Sequence, residues 1–159
     1  MPSNRNNRKK RTPLDLEVIK LLEEFEYNFC KYVDTAFPKK FRDSYVMQIL
    51  NALSEAMKCA LVGFSHDTNI FPQEKLEYIS RSLGNLYYTQ TCLNRLNDLY
   101  QLSDETKAIL DMKLADIMDG FQRFSSSLRD KISIASQIPV STPSGETGEL
   151  EGCPTGHHE

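Results

Sequence analysis

Between residues 14 and 138 the chain holds only two prolines, Pro38 and Pro72, and three glycines, Gly63, Gly84 and Gly120. The other prolines and glycines fall at the two ends. A long stretch with so few breaks favours helices, because almost nothing interrupts the backbone hydrogen-bond ladder. The apolar residues of this stretch recur at three- and four-residue steps, the period of a helix with one buried face.

Four such stripes are legible. The first is Val18, Leu21, Leu22, Phe25, Phe29, Tyr32, Val33 and Ala36. Thr12 is a good N-cap for it, Pro13 suits the first helical position, and Asp15 and Glu17 complement the helix dipole. The stripe stops near Phe37-Pro38. The second is Phe41, Tyr45, Ile49, Leu53, Ala56, Met57, Ala60, Leu61 and Phe64, predicting a helix from Lys39 to about Phe64. His66-Asp67-Thr68-Asn69 reads as a loop. Pro72 opens the third helix, with Leu76, Ile79, Leu83, Leu86, Tyr87, Leu93, Leu96 and Leu99 on its stripe. Gly84, inside it, marks either a close helix approach or a neutral surface position. Ser103-Asp104-Glu105 reads as the cap of a fourth helix carrying Ile109, Leu110, Leu114, Ile117, Met118, Phe121, Phe124, Leu128 and Ile132 and fading near Ile138-Pro139. Short links between long amphipathic helices predict an all-α, antiparallel up-down-up-down four-helix bundle over 13–138. Disordered tails are expected at 1–12 and 139–159, where the composition is polar.

Charge is unevenly spread. Arg5, Arg8, Lys9, Lys10 and Arg11 give residues 1–13 a charge of +5 with no acids, whereas 140–159 carry −4 from Glu146, Glu149, Glu151 and Glu159. The body between them has 14 basic and 18 acidic residues. The basic arm is suited to phosphate or to an acidic protein patch, without sequence specificity. Lys39, Lys40 and Arg42 form a second basic knot at a helix start, the end where the dipole disfavours cations. Phosphate or acidic-partner contact and a solvated helix end are both open for it. Arg81 and Arg95 lie on the third helix, Arg95 beside its apolar stripe. Tyr87, Tyr88, Phe121 and Phe124 fit either a base-stacking platform or, more commonly at this spacing, a core. Tyr27, Tyr78, Tyr88 and Tyr100 stand off the main stripes, which points to a subunit interface.

Catalytic chemistry finds little footing. GxGxxG, GxxxxGK[ST], HExxH and GxSxG are all absent. The three histidines are His66 in a loop and His157 and His158 near the C-terminus, so no helix offers the Glu-x-x-His of a di-iron bundle. Cys153, His157 and His158 lack a fourth ligand nearby. No enzyme activity, metal or cofactor is expected. Cys30, Cys59 and Cys92 fall within predicted helices and read as buried free thiols of a reducing cytoplasm. The chain has no 18-residue apolar run and no signal-peptide pattern, so a membrane partner is not expected.

Three segments carry a resemblance. Phe37-Pro38-Lys39-Lys40-Phe41-Arg42 ahead of the second helix, LEYISRSLGNLYYTQTCLNRLNDLYQLS (76–103) with its late Arg95, and LADIMDGFQRFSSSLR (114–129) resemble a four-helix bundle family. That family contains proteins encoded in 23S rRNA intervening sequences and the accessory variability determinant (Avd) of diversity-generating retroelements. The resemblance covers roughly 14–132. Phe124 stands where the Avd branch commonly has Trp, and the −4 body departs from the basic character of that branch. The resemblance implies a homopentamer that associates with a reverse transcriptase and its template RNA to support mutagenic cDNA synthesis. The intervening-sequence branch implies instead an oligomeric protein-interaction scaffold without nucleic-acid binding. In the first case the residues expected to meet RNA are Arg5, Arg8, Lys9, Lys10, Arg11, Lys39, Lys40, Arg42, Arg81 and Arg95.

Overall fold

A computed structural model describes residues 16–36 and 42–137. Four helices account for most of them: α1 (Glu17–Ala36), α2 (Met47–Ser65), α3 (Pro72–Tyr100) and α4 (Asp104–Gln137). A π turn, Arg42–Val46, leads into α2. Within the described residues the second helix thus begins as a π turn at Arg42 and is α-helical from Met47, and the expected start at Lys39 lies outside them. Thr12, Pro13 and the Phe37–Phe41 segment lie outside the described residues, as do both tails.

The helix ends follow local chemistry. Ser103 Oγ accepts the Thr106 backbone N–H at 3.2 Å and lies 2.8 Å from Thr106 Oγ1, which satisfies a donor otherwise orphaned at the start of α4. Pro72 occupies the first turn of α3, where no N–H is missed. At its other end α3 closes on Gln101, whose φ of 47° is left-handed and whose N–H donates to Asn97 O at 2.8 Å. A side chain in this region costs on the order of 1 kcal/mol relative to Gly, and the bond to Asn97 offsets part of it.

The four helices share one core. Phe25, Phe29, Ile49, Leu53, Ile79, Leu86, Leu96, Leu114, Ile117 and Phe121 are fully enclosed. Burying each such side chain contributes about 1.5–3 kcal/mol. The α2–α3 pair packs most closely. Gln48 meets Tyr88 and Cys92, Ala56 meets Ser82, and Gly63 meets Ile79, so these two helices run in opposite directions. Glu24 meets Lys113, and Val18 packs on Gly120, so α1 and α4 also run oppositely. Ala52, Ala56, Ala60 and Gly63 form a buried stripe of small residues on α2. This stripe lets α3 approach, and Ser82 donates across the gap to Ala56 O at 2.8 Å.

Several expectations need correction. Tyr87, Leu99 and Ile109 fall on the apolar stripes legible in the sequence, yet all three are exposed. The buried faces instead include Ser82, Thr89 and Cys92 on α3 and Ser125 on α4. Polar residues can hold two of these sites because Ser82 bonds Ala56 O and Thr89 bonds Asn85 O. Ile19, Val46 and Ala52 are further core residues outside the expected stripes. Of the cysteines expected to be buried, Cys92 is buried, Cys59 half-buried and Cys30 exposed; all three are free thiols. Gly84 is a surface position, where an added Cβ would meet nothing within 4 Å, whereas the close approach is at Gly63.

Candidate nucleic-acid interface

Of the residues expected to meet RNA, Arg81 and Arg95 have described side chains. Arg42 lies in the π turn, its side chain outside what is described, and Arg5, Arg8, Lys9, Lys10, Arg11, Lys39 and Lys40 lie outside the described residues. Arg81 and Arg95 are both exposed on α3. They lie fourteen positions apart in the chain, so they share a helix face about 21 Å apart, with Tyr88 midway. Tyr88 is 47% exposed and donates to Gln48 Oε1 at 3.1 Å. Its neighbour Cys92 holds the phenol above its ordinary range.

The expected interface tyrosines separate into different settings. Tyr27 is exposed on α1 under the Lys31 ammonium, 4.5 Å from the ring centroid. Tyr100 is half-buried and packs against the core. Tyr78 is half-buried at the other end of α3. Nor do Tyr87, Tyr88, Phe121 and Phe124 make one platform. Phe121 is in the core, Phe124 packs edge-on to Phe64, and Tyr87 accepts a bond from Gln122 on α4.

A more organised aromatic group lies at the α2–α3 loop. His66 Nδ1 donates to Val62 O at 2.8 Å, which fixes the ring against the end of α2. The His66 ring stacks on Tyr78 at 5.5 Å and 18°, and Phe71 meets it edge-on at 6.0 Å. The Arg81 guanidinium lies 5.7 Å from the Tyr78 ring and pairs with Glu77. Asp67 Oδ1 accepts the Asn69 N–H at 2.8 Å and shapes the turn. In the sequence His66 is legible only as a loop residue, and Phe71 joins none of the four stripes. The available signal was an apolar aromatic directly before the Pro that opens a helix, where it has no stripe to join.

Lys75 lies beneath this group. It is 8% exposed, donates to His66 O at 2.9 Å, and its ammonium lies 5.6 Å from the Phe124 ring centroid. Burial pushes its pKa below the usual lysine range; Asp67 opposes this and Lys131 adds to it. The folded chain therefore binds the proton less tightly than the unfolded chain. Between the lowered folded value and the ordinary lysine value near 10.4, the unfolded state holds more protons, so stability rises with pH through that alkaline window. Lys75→Met keeps the stem and removes the ammonium. Urea melts from pH 8 to 10.5 are expected to show stability increasing for the parent relative to this variant; a constant difference would contradict the assignment.

A groove of about 360 Å³ between α1 and α4 is lined by Phe25, Asn28, Tyr32, Thr106, Ile109, Leu110 and Lys113. Lys113 donates to Glu24 at 2.8 Å across its edge and holds that carboxyl below its ordinary range. Burial, then Glu26 and Asp34, push the Cys30 thiol up, away from the thiolate that nucleophilic chemistry requires. Among the described residues no three His, Cys, Asp or Glu side chains converge on a metal position, and no helix is long and apolar enough to cross a membrane. No family model, curated protein or solved structure matches this chain.

Proposed function

We propose that this chain is a non-catalytic accessory subunit of the Avd kind, which binds a reverse transcriptase and its template RNA as a homopentamer and supports mutagenic cDNA synthesis. The observation that carries the reading is Arg95. The late arginine of the third helix, central to the resemblance, is exposed on the bundle surface and not spent on the core. The Ser103-capped start of α4 supports the same alignment. The +5 arm offers about five phosphate contacts, so RNA affinity should fall steeply with salt.

Co-expression with a reverse transcriptase encoded beside the gene, together with its template RNA, tests this reading. The expected result is co-purification and an altered cDNA product, both weakened by Arg95→Ala without loss of helicity. A protein that neither co-purifies nor changes the cDNA sinks it.

A second reading, an oligomeric interaction scaffold without RNA, is favoured by the exposed Tyr27, Leu99 and Met112 and by the α1–α4 groove. An oligomer that is salt-insensitive and free of RNA by light scattering and absorbance would support it.

A further inference from the structure

We propose that the 66–71 loop and the first turns of α3 form a stacking platform for an unpaired base of single-stranded RNA, with Phe71 as the contacting ring. The inference rests on the RNA-binding reading above and assigns it a site. Phe71 is 45% exposed although it anchors nothing on the α3 stripe. Phe71 meets the His66 ring edge-on, His66 stacks on Tyr78, and the Arg81 guanidinium lies 5.7 Å from the Tyr78 ring, so the exposed ring is braced by an aromatic and guanidinium group. The His66 ring is held by Val62 O and the loop by Lys75, whose ammonium bonds His66 O. A base landing on Phe71 therefore meets a surface that is already ordered, which lowers the entropy cost of binding.

The chain also enters α1 at this end of the bundle. Val18, the second residue of α1, packs on Gly120, and the residue after Gly120, Phe121, lies against Phe64 at the close of α2. The chain thus enters α1 at the same end of the bundle as the loop that leaves α2. The acids nearby, Asp67, Glu74 and Glu77, roughly balance Lys75, Arg81 and Lys131, so the platform itself supplies little attraction for phosphate. The five charges of residues 5–11 supply it. Stacking with an electrostatic lead-in is how strands are bound without sequence readout. The two contributions separate by salt dependence.

The test measures binding of the full chain to a fluorescent 20-nucleotide oligouridine by anisotropy across salt concentrations. Phe71→Leu keeps apolar bulk and removes the ring. It is expected to weaken binding by about tenfold at every salt concentration, with the salt slope unchanged. Replacing Arg5, Arg8, Lys9, Lys10 and Arg11 by Gln is expected to flatten the slope, by about 3.5 if all five meet phosphate. Phe71→Trp is expected to bind like the parent, and because the chain has no Trp of its own, the emission of the new ring should be quenched by RNA. Parent-like binding by Phe71→Leu, or unchanged emission at saturating RNA, overturns the platform and leaves the accessory reading standing. Quenching by a partner protein but not by RNA also overturns it. No oligouridine binding by the parent overturns both the platform and direct RNA contact, and co-purification with the reverse transcriptase then decides the accessory role alone.

Discussion

Phe121→Ala is expected to lower the unfolding free energy by about 3–5 kcal/mol, the range for emptying a fully enclosed aromatic site. The ring is 0% exposed and lies 6.1 Å from Phe64 on α2. Its neighbour Gly120 receives Val18 of α1, so three helices converge within one turn of α4. Domains of this size have about 5–15 kcal/mol in total, so the variant should populate unfolded chains at moderate temperature. Urea denaturation followed by far-ultraviolet circular dichroism measures this. A loss under about 1 kcal/mol would mean that the ring is not held at the junction.

The same substitution at two glycines is expected to act with opposite signs. At Gly63 a Cβ would lie 3.0 Å from Ile79 Cδ1, 3.1 Å from Tyr78 Cβ and 3.2 Å from Ile79 Cγ1. Tyr78 Cβ moves only with the α3 backbone, and Ile79 is itself enclosed, so the neighbours cannot yield cheaply. Gly63→Ala gains up to about 1 kcal/mol of helix propensity and loses more to overpacking, typically about 1–3 kcal/mol. Gly63→Val adds branching and should cost more still. At Gly84 a Cβ meets nothing, so Gly84→Ala keeps the propensity gain and stabilises by about 0.5–1 kcal/mol. Parallel melts of the two alanine variants test the pair. If Gly63→Ala stabilises as much as Gly84→Ala, the α2–α3 approach is looser than described.

These two glycines show where the sequence was legible and where it was not. Helix existence, the start of α3 at Pro72 and the capped start of α4 at Ser103 were readable, because each depends on residues within a few positions. Gly84 and Gly63 look alike in the sequence, and what separates them is whether Ile79 and Tyr78 stand opposite. Tyr87, Leu99 and Ile109 sit at helical spacing from core residues, yet the arc a helix buries depends on where its neighbours lie. Ser82 and Thr89 look like surface residues in the sequence because they are polar, though carbonyls within reach satisfy their hydroxyls.

The candidate site divides in the same way. The charge of the arm is a property of composition alone. Phe71, His66, Tyr78 and Arg81 come from the end of one helix, a loop and the start of another. Only the turn-back of α3 against α2 brings them together.

By itself, then, the sequence determined that the chain forms four long amphipathic helices with few interruptions and a concentrated positive charge at one end. Those features follow from local hydrogen bonding, side-chain period and net charge. The tertiary structure alone decided which face of each helix is buried, which glycine is closely packed and which aromatics form a surface. Such outcomes depend on contacts between residues distant in the chain, where small-residue stripes such as Ala52–Ala56–Ala60 set how closely two helices can approach.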